Sequence, residues 1–123
     1  MFYRTPTVEA VRGWAERTPD DFVFAWKASK FITHWKRLND TSRNSIVLME
    51  SRLKLLDEKA GPVLFQLPPK FEKNRERLAA FLKLLRARRP YAFDFRHPSW
   101  YEDDILDLLL ANDIALCISD HDD

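Results

Sequence analysis

The sequence predicts an α/β protein with four parallel strands, each joined to the next by a helix. Short apolar or aromatic runs alternate with longer segments in which apolar residues recur every three or four positions. Proline or glycine stands at most of the boundaries between these segments. This strand–helix alternation favours a parallel sheet with right-handed crossovers.

The composition indicates one soluble, folded domain. The chain has 123 residues, of which 46% are hydrophobic and 32% charged, and its net charge is +1. These values argue against disorder and give no bulk attraction to nucleic acid or to a membrane surface. The apolar runs are too short to cross a bilayer, and the first residues do not form a signal peptide, so we expect a cytoplasmic location. The single cysteine, Cys117, is interpreted as a small core residue.

Glycine content excludes two common nucleotide-binding motifs. Gly13 and Gly61 are the only glycines, so the chain has neither a G-x-G-x-x-G loop nor a G-x-x-x-x-G-K-[ST] loop. The spaced Cys/His pairs of a zinc site are missing too. The sequence therefore assigns no metal site and identifies no cofactor.

The first half of the chain predicts helix, strand and helix. The first helix begins with Thr5 as its cap and Pro6 at its first position, and it ends before Pro19. Residues 22–27 form an aromatic strand. After a polar connection comes a long helix, and Gly61 is predicted to be the left-handed residue that follows its last turn.

The second half repeats the alternation. Residues 63–67 form a strand that ends at Pro68 and Pro69, and a helix follows. The segment from Tyr91 begins the third strand, and residues 99–102 match a capping box that opens the next helix. Residues 114–120 form the last strand.

Every predicted strand ends on polar residues at its carboxyl edge, namely Lys27, Gln66, Asp94 with Arg96, and Asp120. Because strand side chains alternate between faces, these polar residues share a face with small or aliphatic residues, and the large aromatics lie on the other face. In parallel α/β folds, ligands bind at the carboxyl ends of the strands. The sequence therefore predicts a polar site there.

Asp94 and Asp120 are the candidate catalytic acid/base groups. Asp94 and Arg96 form either a substrate-binding pair or a structural ion pair. Lys27 either binds an anion, or acts as a base after burial lowers its pKa, or pairs with Asp94. These alternatives stay open at the level of the sequence.

Five further residues are candidates for substrate binding. Thr33 and His34 lie in the basic connection and are suited to phosphate or sugar oxygens, although a lone loop histidine is commonly just exposed. Gln66 supplies either an amide for a ligand or a hydrogen-bonding plug. His97 precedes proline, so its backbone is predicted to be extended. Trp100 either walls the pocket or packs on the rim of the fold, and packing is favoured.

Several segments resemble the YecE-like family, the domain of unknown function numbered seventy-two. They occur in the family's order and cover essentially the whole chain: 2–6, 24–29 with 32–34, 61–69, 95–100 and Asp120. The resemblance implies a partial TIM-like β/α barrel, since the family barrel is roughly twice this length. It implies no particular activity.

Two features depart from the family pattern. The chain opens with Met1 where the family carries Asn-Thr before Phe-Tyr, and Asp94 stands where the family tends to have Glu. We therefore expect residues 1–123 to form a single partial barrel domain that lacks the first strand and the C-terminal half. The exposed strand edges of such a piece predict weak stability and self-association, or association with a complementing chain.

Two classes of function compete, and the sequence does not decide whether the protein is an enzyme. The first is an enzyme that acts on a small polar or phosphorylated substrate. The second is a non-catalytic module that binds a metabolite, or less plausibly nucleic acid, with Trp35 and Trp100 stacking on bases. A third interpretation is a truncated fragment without independent function. No membrane partner is expected.

Overall fold

A parallel sheet of four strands organises the structure. The computed structural model describes residues 5–28, 32–33, 42–85 and 89–118. The strands are β1 (Phe24–Lys27), β2 (Ala60–Gln66), β3 (Tyr91–Asp94) and β4 (Ala115–Leu116), and they lie side by side in chain order. All neighbouring strands are parallel. The predicted α/β architecture is therefore confirmed.

In the described ranges, four α-helices accompany the strands: α1 (Val8–Arg17), α2 (Arg43–Leu56), α3 (Arg75–Leu82) and α4 (Asp103–Ala111). Each of α2, α3 and α4 links two consecutive strands, as parallel pairing requires. Two single 3₁₀ turns occupy Asp57–Lys59 and Pro98–Trp100. None of the helices in the described ranges has the length and apolar character needed to cross a membrane.

The large aromatic side chains of the strands face the helices, as their alternation predicts. Phe65 on β2 lies 5.2 Å, ring centre to ring centre, from Phe81 on α3, and 5.0 Å from Phe93 on β3. All three rings are buried. Aromatic pairs in such offset or edge-on geometry contribute about 0.5–1.5 kcal/mol beyond their buried area. This layer joins α3 to the two central strands.

Helix α1 begins two residues later than the sequence predicts. Its N-cap is Thr7, whose hydroxyl oxygen accepts a hydrogen bond from the Ala10 amide at 3.2 Å. Pro6 lies outside the helix, and its carbonyl accepts a hydrogen bond from the Arg52 guanidinium on α2 at 2.8 Å. At the other end, the Lys59 ammonium donates to the Ala15 carbonyl at 2.6 Å, which compensates the negative end of the helix dipole.

The predicted role of Gly61 is wrong. No described glycine has a positive φ, and Asp57 makes the turn after α2 with φ 51°. Gly61 instead lies inside β2, where a Cβ atom would come within 2.8 Å of the Phe24 carbonyl oxygen. Glycine is required here because the backbones of β1 and β2 approach closely at a register shift.

The predicted capping box at 99–102 is wrong as well. Helix α4 begins at Asp103 with Glu102 as its N-cap, and Glu102 makes no side-chain cap. The Ser99 hydroxyl instead accepts a hydrogen bond from the Lys73 amide at 2.7 Å. Ser99 therefore joins the β2–α3 connection to the β3–α4 connection.

A half-buried polar cluster fixes α2 to the amino edge of the sheet. The Tyr91 hydroxyl donates to Glu50 at 3.1 Å, and the Arg89 guanidinium donates to the other carboxylate oxygen of Glu50 at 3.0 Å. Burial raises the pKa of Tyr91 above 10.0, and the adjacent Glu50 carboxylate raises it further. The folded protein therefore binds the phenolic proton more tightly than the unfolded chain does.

We expect Gly61→Ala to destabilise the protein by about 1–3 kcal/mol, because the added methyl group would overlap the backbone of β1. Gly13→Ala is the matched control. Gly13 lies in α1, and a Cβ there meets the flexible end of Arg17 at 3.4 Å, so alanine should stabilise the helix by about 0.5–1 kcal/mol. Urea denaturation measures both changes. Equal effects at the two glycines would contradict the close approach of β1 and β2.

The Tyr91 cluster predicts a loss of stability at alkaline pH. Because the folded pKa of Tyr91 lies above its unfolded value of 10.0, the stabilisation is fully present below that pH and is lost as the pH rises toward the folded value. Tyr91→Phe should lower the free energy of unfolding by about 1–3 kcal/mol near neutral pH. It should also reduce the decline of that free energy above pH 10. Denaturation curves that decline equally steeply for both proteins would show that Tyr91 is not the responsible group.

Candidate functional site

The ends of β2 and β3 place the predicted polar residues on one face of the sheet. Gln66 and Asp94 are direct partners across these two strands, and the Leu67 amide donates to the Asp94 carbonyl at 3.0 Å. Lys27 is the partner of Leu64, two residues before Gln66. Since paired residues of parallel strands project to the same side, Lys27, Gln66 and Asp94 share a face opposite the aromatic layer. Strand parity predicts this shared face for the three residues, and their functional role stays a prediction.

Asp94 and Arg96 form a buried ion pair. The Arg96 Nε atom donates to Asp94 Oδ2 at 3.2 Å, and 4% of the Asp94 side chain and 16% of the Arg96 side chain are exposed. The other carboxylate oxygen, Oδ1, is buried and has no hydrogen-bond partner. A buried polar atom of this kind is rare in folded proteins, and each case calls for a physical explanation.

The structure decides one alternative for Lys27. Asp94 pairs with Arg96, and within the described part of the chain no carboxylate lies at ion-pair distance from Lys27. The alternative in which Lys27 is the partner of Asp94 is therefore wrong. Lys27 is half-buried, so its ammonium lies on the polar face without a countercharge from those residues.

His97 is held by its neighbours in the turn after β3. Its backbone is extended, with φ −83° and ψ 131°, as the following proline predicts. The Nδ1 atom accepts a hydrogen bond from the Ser99 amide at 3.1 Å and lies 2.8 Å from the Ser99 hydroxyl. Because Nδ1 accepts, the neutral ring carries its proton on Nε2.

Trp100 belongs to the aromatic layer. It is 1% exposed, its indole N–H donates to the Phe71 carbonyl at 2.6 Å, and its ring stacks on Phe95 at 4.6 Å. This placement supports the packing role that the sequence favours for Trp100. The predicted substrate contact is not supported, and a buried indole is not available to stack on a base.

The structure says less about the four other candidates. Thr33 is described and is 1% exposed. His34 and Asp120 lie outside the described residues, so their predicted roles stay predictions. Gln66 is half-buried beside Asp94, with which it pairs across the strands.

Ser42 is a polar residue at this edge that the sequence analysis missed. It is the N-cap of α2, its Oγ atom is buried, and it has no hydrogen-bond partner. Helix α2 is about 21 Å long, similar to the length of β2, and it leads back to the start of β2. Its N-terminus therefore lies toward the carboxyl edge of the sheet, like Asp94. The serine before the apolar stripe of α2 was the available signal.

Tyr101 is the second missed residue. Its hydroxyl donates to the Phe95 carbonyl, close to the polar face. Burial raises the pKa of Tyr101, and the negative charge of Asp94 and the nearby Cys117 raise it further. Tyr101 was assigned to the wrong capping box, which hid its position beside the third strand.

Two cavities lie away from the polar face. One of about 940 Å³ lies at the amino edge of the sheet, between the ends of α3 and α4, and includes Arg89 and Tyr91. The other, of about 190 Å³, lies between β4 and α4 and is largely apolar.

Across the described ranges, no group of three His, Cys, Asp or Glu side chains is arranged to hold a metal ion.

The four parallel strands and their flanking helices form part of a TIM-like β/α barrel. The chain belongs to the family described as protein of unknown function DUF72, whose family model matches residues 1–123. The resemblance found in the sequence is thus confirmed.

Known relatives agree with this assignment. The chain is 30% identical over 100 residues to the UPF0759 protein YecE of Escherichia coli. The aligned region covers 80% of this chain and 36% of YecE. A DUF72 family structure from Thermotoga maritima matches with a TM-score of 0.74 and 25% identity, over 94% of this chain and 46% of that one. A DUF72 family structure from Enterococcus faecalis matches with a TM-score of 0.75 and 22% identity, over 94% of this chain and 50% of that one. The chain thus spans about a third of YecE and about half of the solved chains.

The burial of Asp94 changes what substitution of Arg96 should do. Asp94 is only 3% exposed, so water cannot stabilise its carboxylate once the Arg96 guanidinium is removed. Arg96→Gln leaves a buried carboxylate without its countercharge and should cost about 3–5 kcal/mol. The double variant Asp94→Asn with Arg96→Gln removes both charges and should be more stable than Arg96→Gln alone. Thermal and urea denaturation of the wild type, Asp94→Asn, Arg96→Gln and the double variant gives the coupling energy, and additive effects would contradict a buried ion pair.

Proposed function

We propose that the carboxyl edge of the sheet binds a small ligand that carries hydroxyl groups and an anionic group, such as a sugar phosphate, and that the protein acts on it as an enzyme. One observation carries this proposal. Two buried side-chain atoms of the described residues lack a hydrogen-bond partner, Asp94 Oδ1 and Ser42 Oγ, and both belong to this edge. Both atoms are closed to solvent, so a ligand that opens this edge locally and supplies hydrogen-bonding groups would satisfy them.

Asp94 suits a hydroxyl group of the ligand. Oδ2 is engaged by Arg96, which orients the carboxylate and leaves Oδ1 to accept a hydrogen bond. Because Oδ1 is shielded from bulk water, a hydrogen bond there is electrostatically stronger than one at the surface. A carboxylate held in this way is suited to take a proton from a substrate hydroxyl and to return it. This is the acid/base role we assign to Asp94.

The N-terminus of α2 suits the anionic group. Its first turn contains Arg43 and no acidic residue, whereas the first turns of α1, α3 and α4 all contain acids. The positive end of the α2 dipole is therefore not neutralised by its own side chains. Ser42 adds a buried hydroxyl and Lys27 adds a positive charge on the same side of the fold. Backbone amides at a helix N-terminus are well suited to phosphate oxygens.

Titration of the protein with D-ribose 5-phosphate, D-ribose and inorganic phosphate, monitored by amide chemical shifts, tests this proposal. We expect D-ribose 5-phosphate to bind more tightly than either part alone and to shift the amides of β2, β3 and the first turn of α2. Asp94→Asn should abolish binding of the D-ribose hydroxyls, and it is compared with the wild type at a temperature at which its amide spectrum shows that it is folded. Shifts confined to the amino edge, around Arg89 and Asn112, would overturn the proposal.

A matched pair of lysine variants separates the anion contact from a general charge effect. Lys27→Gln should weaken binding of D-ribose 5-phosphate about tenfold and leave binding of D-ribose unchanged. Lys54→Gln removes the same charge from the last turn of α2, at the opposite end of that helix, and should change neither. Equal losses for both variants would indicate non-specific charge attraction. A steep salt dependence with a single-stranded oligonucleotide would favour the nucleic-acid alternative instead.

A further inference from the structure

The fourth strand brings a thiol next to Asp94. In the register of β3 with β4, Leu116 is the partner of Phe93. The Cys117 amide continues this ladder, because it donates to the Phe93 carbonyl at 2.8 Å. In a parallel pair, an amide that bonds to residue 93 belongs to the partner of residue 94. Cys117 is therefore the direct neighbour of Asp94 across the two strands.

Side-chain alternation decides which face of the sheet carries this thiol. Leu116 lines the apolar cavity between β4 and α4, so it lies on the helix side. Cys117 follows it and projects to the opposite side, where Gln66 and Asp94 lie. The Cys117 side chain is half-buried and does not belong to the buried core. The interpretation of Cys117 as a core residue is therefore wrong.

The hydroxyl of Tyr101 lies close to both side chains. It donates a hydrogen bond to the Phe95 carbonyl. Burial is the main cause that raises the pKa of Tyr101, and the charges of Asp94 and of Cys117 raise it further. Charges shift a pKa in this way at short range. Asp94 and Cys117 therefore border one common space beside Tyr101.

Asp94 gives this space its need for a ligand. Its side chain is 4% exposed, yet its Oδ1 atom has no hydrogen-bond partner, and the thiol of Cys117 does not supply one. A thiol is a small group and only a weak hydrogen-bond donor. Cys117 thus forms a small, weakly polar wall beside the unpartnered carboxylate oxygen and leaves that oxygen to another donor.

We propose that Cys117 contacts the ligand next to the hydroxyl group that binds Asp94, and that it limits the size of the group that fits there. This role rests on the ligand site proposed above and adds a specificity-determining residue to it. Neighbouring strands lie about 4.8 Å apart, so a carbon whose hydroxyl binds Asp94 comes within contact distance of the thiol. The site therefore selects a sugar carbon with small substituents.

Titration with D-ribose 5-phosphate, monitored by amide chemical shifts, tests the role of Cys117. Cys117→Leu should weaken binding at least about tenfold, because the larger side chain occupies the position of the ligand. Cys117→Ser keeps the small size and should bind more tightly than Cys117→Leu. Ile118→Phe is the matched control. Ile118 is the next residue and is 83% exposed, and alternation directs it away from the polar face, so binding should not change.

Alkylation of the wild-type protein gives a readout that does not depend on the folding of a variant. Cys117 is the only cysteine of the chain, so iodoacetamide modifies a thiol at this position alone. The sulfur–carbon bond forms, the carbon–iodine bond breaks, iodide leaves and the thiol proton passes to the buffer. The alkylated protein should bind D-ribose 5-phosphate at least about tenfold more weakly. Without ligand, alkylation should shift the amides of Gln66 and Asp94 more than those of α4.

The possible outcomes separate the two proposals. Absence of D-ribose 5-phosphate binding to the wild type would overturn the ligand site and the role of Cys117 together. Binding that persists unchanged after alkylation would overturn the role of Cys117 alone. Equal losses of binding in Cys117→Leu and Ile118→Phe would overturn it as well. So would alkylation shifts confined to α4, since they would place the thiol on the helix side of the sheet.

Discussion

The parallel register of β2 with β3 is the constraint on which the rest of the structure depends. Phe65 lies opposite Phe93, and Gln66 lies opposite Asp94. Because strand side chains alternate, this register directs the two phenyl rings toward α3 and the two polar side chains to the other face. A slip of one residue would place an ion pair against the helices and the rings in the polar site. The pairing of β2 with β3 that buries the aromatic layer therefore also forms the polar site.

The polar face is less favourable to stability than the aromatic face. The Asp94 carboxylate is nearly fully buried, and only one of its two oxygens is paired. Taking an ion pair out of water costs free energy that its attraction only partly offsets. At the amino edge, by contrast, Glu50 uses both of its oxygens to bind Arg89 and Tyr91. This asymmetry fits the division in β/α barrels between a stabilising amino face and a functional carboxyl face.

Strand parity and element order could be predicted from the sequence, because alternation over a few residues decides them. Contacts between distant segments could not. Gly61 is glycine because the carbonyl of Phe24 approaches it from β1, and local sequence carries no record of that approach. Ser99 caps no helix because the Lys73 amide, 26 residues earlier in the chain, binds its hydroxyl. Ser42 could be recognised from the sequence as the cap of α2, but its burial could not, since burial depends on packing between distant segments.

The most direct test of the site is a crystal structure of the protein grown with D-ribose 5-phosphate. The account predicts the sugar at the carboxyl edge of the sheet, with a hydroxyl within hydrogen-bond distance of Asp94 Oδ1 and the phosphate near Ser42 and the first turn of α2. A sugar phosphate bound instead in the cavity at the amino edge, beside Arg89 and Tyr91, would contradict it. So would an Asp94 Oδ1 that binds a side chain of the same protein when the ligand is present.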